Sequence, residues 1–143
     1  MKNFIRTLTI GTALLLGAPV QAGETPAPDG AKLYIISPSD GAKVASPVLV
    51  VFGLSGMGVA PAGAEKENTG HHHLFIDAPL PEDDALNEAI VKDAQHLHFG
   101  GGQTEAMVEL KPGKHRLQLL LGDHNHIPHK TPIASSVINI VIE

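Results

Sequence analysis

Short apolar runs separated by turn residues make up most of this 143-residue sequence, and none keeps the 3.6-residue period of an amphipathic helix for three turns. The runs are rich in β-branched residues and are bounded by Pro, Gly and Asp, which is typical of short strands joined by tight turns. Six runs qualify: residues 33–36, 48–54, 72–77, 104–110, 115–121 and 138–142. We therefore expect an all-β protein, an antiparallel β-sandwich of about six or seven strands.

Two connections between these runs are unusually long. Residues 55–70 carry several Gly and Pro positions and end in Asn-Thr-Gly, which predicts a long loop. Residues 79–93 are acidic, with room for one helical turn around 85–91. Long loops in compact domains often carry function, so we expect binding residues near them.

The N-terminal segment has the features of a secretory signal peptide. Lys2 and Arg6 flank the start of an apolar run over residues 8–16, and Val-Gln-Ala at 20–22 is a small-x-small cleavage sequence. The run is shorter than the roughly 20 residues of a membrane span, so no membrane span is expected. We predict a signal peptide at 1–22, a flexible lead-in at 23–31, and a single sandwich domain at 32–143 that is periplasmic or secreted.

Composition excludes several classes of function. Ten basic against 15 acidic residues give a formal net charge of -5, so the chain is a poor partner for nucleic acid. The absence of Cys removes thiolate metal sites, disulfides and thiol nucleophiles. The sequence has no Gly-rich nucleotide-binding motif and none of the common hydrolase motifs, so no catalytic residue is assigned.

Histidine is the one abnormal count, with nine in the chain. Alternate residues of an extended segment share a face, so His71 with His73, and His96 with His98, are spaced to reach one ion. Pro128 restricts Ile127 to extended geometry and so fixes the reach between His126 and His129. A Gly or Pro residue lies beside each of these three pairs of histidines. The predicted ligands, converging at one end of the sandwich, are His71, His73, His96, His98, His126 and His129.

The remaining histidines have structural interpretations of equal or greater weight. His72 shares its face with Leu74 and Ile76, which favours a position towards the core. His115 begins the strand that carries Leu117 on its apolar face, and a core or edge position is favoured there too. His124 is interpreted as a surface residue. Whether His72 and His115 bind an ion stays open.

Ligand chemistry narrows the ion to copper or zinc. Neutral imidazoles suit Cu(II), Zn(II) and Ni(II), whereas Cu(I) prefers softer sulfur ligands, which are scarce in this chain. Four polar residues beside the histidines could accept the second ring N–H or could be ordinary turn and surface residues. They are Asp77, Gln103, Glu105 and Asp123.

Three stretches resemble a family of small exported bacterial proteins known only as a domain of unknown function. They carry the motifs HHHL at 71–74, HxHFGGGQTE at 96–105 and GDxxHxPH at 122–129. The resemblance implies no established activity. Separately, residues 37–48 and 113–123 are similar to the opening hairpin and late strands of bacterial immunoglobulin-like modules. That similarity implies an immunoglobulin-like sandwich with long His- and Gly-rich loops.

Three functions fit these observations. The first is a periplasmic or secreted metal-binding protein that captures or delivers copper or zinc, with the metal ion and an envelope protein as candidate partners. The second is a non-metal, immunoglobulin-like binding module of the cell envelope. The third is a copper enzyme loosely similar to copper–zinc superoxide dismutase. It is less favoured because the usual Cys pair of that family is absent and no Arg lies near the motifs.

Overall fold

Residues 23–143 are described by a computed structural model, which is an all-β structure with nine strands and one short helix. The signal-peptide prediction for residues 1–22 lies outside these described residues. The strands are β1 Lys32–Ser37, β2 Lys43–Val44, β3 Val48–Ser55, β4 Gly58–Val59, β5 Thr69–Ile76, β6 His96–His98, β7 Glu105–Val108, β8 Gly113–Gly122 and β9 Ile138–Ile142. A 3-10 helix covers Asp83–Asn87.

The strands form two sheets. The smaller has the order β1-β3-β7, and all its pairs are antiparallel. The larger has the order β2-β9-β8-β5-β4, with β6 also pairing with β5. β5 is central to this sheet because it pairs antiparallel with β8 along one edge and with β6 along the other.

The core lies between the two sheets and is built by alternation along each strand. Val50 and Phe52 of β3 belong to the same buried cluster as Leu74 of β5 and Leu119 of β8. Side chains of a strand alternate between its faces, so the residues between these positions point to the outer face of each sheet. The prediction of a β-sandwich is confirmed, and its longer strands pair antiparallel as expected, whereas the two-residue strands β2 and β4 pair parallel with β9 and β5. The immunoglobulin-like topology stays a prediction.

Each predicted strand corresponds to an observed one, with differences at the ends and in the loops. The loop predicted over 55–70 contains the two-residue strand β4, and β5 begins at Thr69 instead of His72. The predicted helical turn around 85–91 lies slightly earlier, as a 3-10 turn over Asp83–Asn87. Within residues 23–143, no helix is long and apolar enough to cross a membrane.

Residues 23–31, predicted as a flexible lead-in, contact the sandwich. Ala27 packs against the core cluster. The backbone N–H of Lys130 donates to the carbonyl oxygen of Thr25 at 3.0 Å, and the Thr25 side chain donates to Asp123. The segment is therefore held against the chain around residues 123–130.

Candidate metal centre

β5 places three consecutive histidines on two different faces of the larger sheet. His72 points to the core, where its ring centre lies 5.1 Å from that of Phe52. His71 and His73 therefore share the opposite, outer face. Both are nonetheless almost completely buried, at 0% and 1% exposed, because other parts of the chain cover that face. Nearly complete burial of two imidazoles on an outer sheet face is the first sign of a built site.

β6 brings a fourth strand histidine onto the same face. His98 pairs directly across from His73, and the two ring centres lie 5.0 Å apart. His96 shares this face two residues away, but its Nδ1 lies 2.7 Å from Asp93 Oδ1 and its ring packs edge-on against Phe75. The structure thus places His98 beside His73 and directs His96 towards Asp93.

The chain after β8 supplies the last member of the group. His126 Nδ1 lies 3.1 Å from His71 Nε2, which itself lies 3.0 Å from His73 Nε2. One ring nitrogen from each of four histidines lies within 4.8 Å of the other three: His71, His73, His98 and His126. We call these four residues the His cluster. Four of the six predicted ligands are therefore brought together, on the outer face of the larger sheet, where the prediction was that all six would converge at one end of the sandwich.

Asp123 organises the turn that presents His126. Its Oδ1 accepts the backbone N–H groups of Asn125 at 2.8 Å and Ile127 at 3.0 Å, and its Oδ2 accepts the Thr25 hydroxyl at 2.6 Å. The carboxylate is only 2% exposed. His126 has a φ of 67°, a left-handed conformation that is uncommon for residues other than glycine. This hydrogen-bond network therefore holds a strained backbone that directs the His126 ring towards the cluster.

Two glycines leave room for the rings. A Cβ at Gly122 would lie 2.8 Å from His73 Nε2 and 3.4 Å from the Cα of His126. A Cβ at Gly100 would overlap the His98 ring. A side chain at either position would displace an imidazole, so both glycines are required by the close approach of backbone to ring.

The ring nitrogens of the cluster cannot all be satisfied by one another. Each neutral imidazole nitrogen offers either one N–H or one lone pair, yet His71 Nε2 faces both His73 Nε2 and His126 Nδ1. At least one of these contacts is therefore not a hydrogen bond. His98 Nε2, His71 Nδ1 and His73 Nδ1 are also buried without a partner among residues 23–143. A cation between the rings would bind the lone pairs of the nitrogens that face one another, such as His71 Nε2 and His73 Nε2, but not the Nδ1 atoms of the same two rings.

Burial keeps the inner imidazoles neutral, which is the form that binds metal. Loss of water contact, followed by repulsion from His126, lowers the pKa of His71 to about 4. The same burial and the neighbouring His71 lower the pKa of His73 to about 2. Burial also lowers the pKa of His98. The negative charge of Asp123 acts in the opposite direction on His71 and favours positive charge there. The buried imidazoles therefore stay unprotonated, while the carboxylate of Asp123 favours a positive charge beside His71.

The other histidines have separate positions. His129 is 2% exposed, and its Nε2 lies 3.2 Å from the carbonyl oxygen of Thr69, outside the cluster. His72 Nδ1 lies 3.2 Å from the carbonyl oxygen of Gln103. His115 contacts Asp77, and His124 Nε2 lies 2.9 Å from the side-chain amide of Asn125. Of the predicted ligands, His96 and His129 are the two that the structure does not bring to the His cluster.

Of the four polar residues considered as ring partners, one contacts a histidine ring with its carboxylate, and Glu105 is an exposed residue of β7. Asp77 contacts His115, and Gln103 uses its backbone carbonyl. Asp123 accepts backbone N–H groups and the Thr25 hydroxyl, and no ring N–H. Sequence reasoning missed Thr25, because only long-range contact reveals its role. The Gly-Asp pair at 122–123 was the available signal for the turn.

Comparison with known proteins gives one match. Searches of curated proteins and of solved structures find none. A family model matches residues 50–143, which include every member of the His cluster and both adjoining glycines. Its description is a domain of unknown function, DUF4399. The chain belongs to the DUF4399 family.

Proposed function

We propose that this protein is exported and binds one copper or zinc ion through the His cluster, to capture the metal or deliver it to another protein of the cell envelope. The observation that carries the proposal is the convergence of four imidazole nitrogens within 4.8 Å of one another. Around an ion with metal–nitrogen distances of about 2.0–2.1 Å, neighbouring tetrahedral ligands are about 3.4 Å apart. The closest nitrogens, at 3.0 and 3.1 Å, need to separate by a few tenths of an ångström, and the most distant, at up to 4.8 Å, need to approach by up to about 1.4 Å.

Burial of the cluster supports binding over a purely structural role. Imidazoles that serve only to pack a core form hydrogen bonds with backbone or side-chain groups, as His72 and His129 do with carbonyl oxygens. The two innermost cluster rings instead place their Nε2 atoms 3.0 Å from each other, and His126 Nδ1 lies 3.1 Å from His71 Nε2. Nitrogens that face one another in this way leave buried lone pairs unsatisfied without an ion, and an ion bound between them offsets that cost.

Capture or delivery fits the accessibility of the ligands. His71 and His73 are buried in the sheet, whereas His98 and His126 are partly exposed and lie on a short strand and a turn. His71 and His73 would bind the ion from the side of the sheet, and the ion would be reached from solvent past His98 and His126. A partner protein exchanging ligands with the ion would meet His98 and His126 first.

The test is to purify the native, untagged protein from the exporting cell and measure its mass and metal content. We expect a chain that begins within a few residues of Gly23, found in the periplasmic or secreted fraction, and about one copper or zinc ion per chain. An intact Met1 species confined to membranes contradicts export. A metal-free protein that also fails to bind added Cu(II) or Zn(II) contradicts the metal function.

A further inference from the structure

The relative positions of the four rings distinguish between coordination geometries. With a metal–nitrogen distance of about 2.1 Å, an imidazole ring centre lies about 3.2 Å from the ion. A regular tetrahedron then separates all six pairs of ring centres by about 5.2 Å, whereas a square plane separates four pairs by about 4.5 Å and two by about 6.4 Å. The two long pairs of a square plane share no ring.

The His cluster is closer to the tetrahedral than to the square-planar pattern. Five of the six ring-centre distances lie between 4.6 and 5.0 Å, and only His73 to His126 is longer, at 6.1 Å. In a square plane with His73 and His126 opposite each other, the ring centres of His71 and His98 would also be about 6.4 Å apart. The observed distance between them is 5.0 Å.

The backbone fixes this arrangement. His71 and His73 are on one strand, and His98 lies across from His73 on the paired strand β6. His126 enters from a turn held by Asp123, whose Oδ1 accepts the backbone N–H groups of Asn125 and Ile127. A site assembled from packed strands cannot flatten into a plane without moving a strand or the turn.

We infer that the site takes a tetrahedral ion, Zn(II), bound to all four imidazoles and to no water; this rests on the proposed function and names its cargo. Cu(II) and Ni(II) favour tetragonal or square-planar arrangements, and Cu(I) favours sulfur ligands that the cluster lacks. Four protein nitrogens fill a tetrahedral sphere, so no position is left for a water or a substrate. The site therefore holds and transfers the ion and does not activate water for hydrolysis.

Titration of the metal-free mature protein with Co(II), Ni(II) and Zn(II) tests the geometry. An adaptable group of histidines follows the usual order of divalent metals, in which Ni(II) binds more tightly than Co(II). A site that imposes a tetrahedron reverses this order, and we expect Co(II) to bind about tenfold more tightly than Ni(II), with Zn(II) tighter than both. Tighter binding of Ni(II) than Co(II) would overturn the inference.

X-ray absorption at the zinc edge provides the second readout. The zinc-loaded wild type should show four imidazole nitrogens at about 2.0–2.1 Å and no further ligand. His98→Ala should replace one imidazole by an oxygen, and the control His96→Ala, on the same strand, should match the wild type. A five- or six-coordinate ion, or fewer than four imidazoles in the wild type, overturns this inference and leaves the proposed function standing. Failure to bind Co(II), Ni(II) and Zn(II), and Cu(II) added as a fourth ion, overturns both.

Discussion

The Thr25 hydroxyl donates a 2.6 Å hydrogen bond to Oδ2 of Asp123, across 98 residues of sequence. The other oxygen of that carboxylate holds the turn that carries His126. The contact therefore links the segment that follows the predicted cleavage site to a ligand of the candidate metal centre. Residues that do not bind an ion themselves, but hydrogen-bond to the segment that carries a ligand, act by fixing the orientation of the ligand ring.

We expect Thr25→Val to weaken zinc binding about tenfold, because the loss of one donor loosens the turn without touching any imidazole. Thr25→Ser, which restores the hydroxyl, should recover wild-type affinity. Competition with a chromophoric chelator would measure both variants. Equal affinities for Thr25→Val and the wild type would show that the N-terminal segment does not position His126.

The close approach at Gly122 gives a steric prediction. An added methyl group would lie 2.8 Å from His73 Nε2, so Gly122→Ala should displace that ring and reduce metal affinity by about 100-fold or more. Gly58→Ala is the matched control, because the closest atom to its Cβ is Thr69 Cγ2 at an ordinary 3.4 Å. Chelator competition again measures the effect, with circular dichroism to check that both variants fold. Wild-type affinity in a folded Gly122→Ala protein would contradict the placement of the His73 ring.

His115 provides a pH-dependent prediction that is independent of the metal. Burial alone would lower the pKa of His115, but the carbonyl oxygen of Lys111 and the carboxylate of Asp77, each 2.7 Å from a ring nitrogen, outweigh it and raise the pKa above 6.5. A raised pKa means that the folded state holds the proton more tightly than the unfolded state. Its stabilisation is therefore complete below pH 6.5 and is lost as the pH rises through the raised pKa.

Urea unfolding of the wild type and His115→Gln, both in a metal chelator, measures this contribution. The wild type should have the higher unfolding free energy, and its advantage over the variant should be larger at acidic than at alkaline pH by about 0.5–1 kcal/mol. The value is modest because solvent screens the ion pair. The His cluster is present in both proteins, so its own titration cancels in the difference. A difference that is constant with pH would contradict the protonated His115–Asp77 pair.

The sheet faces of the histidines could be predicted from sequence, because alternation along a strand is a local property. His71 and His73 on one face, and His72 with Leu74 on the other, follow from parity once β5 is recognised. Parity also puts His96 and His98 on one face, as observed. Parity does not predict which neighbour each ring contacts. The His96 ring contacts Asp93, three residues earlier in the sequence, and not the His cluster.

The positions of the loop histidines could not be predicted in the same way. The path of residues 123–129 depends on the buried carboxylate of Asp123 and on a left-handed residue at His126, and neither follows a periodic pattern. Pro128 was expected to fix the distance between His126 and His129. In the structure Pro128 pairs with Gly122, and His129 faces the backbone of Thr69. The role of Thr25 depends on a contact between distant parts of the chain, which composition alone does not show.

His98 and His96 provide a matched pair for testing whether His71, His73, His98 and His126 bind one ion. Both lie on β6 and share a face, but only His98 belongs to the cluster. Calorimetric titration of untagged residues 23–143 with Zn(II) should give one ion per chain for the wild type and for His96→Ala, with affinities within about threefold. His98→Ala should bind on the order of 100-fold more weakly. Equal affinities for the two variants, or no binding by the wild type, would contradict the account.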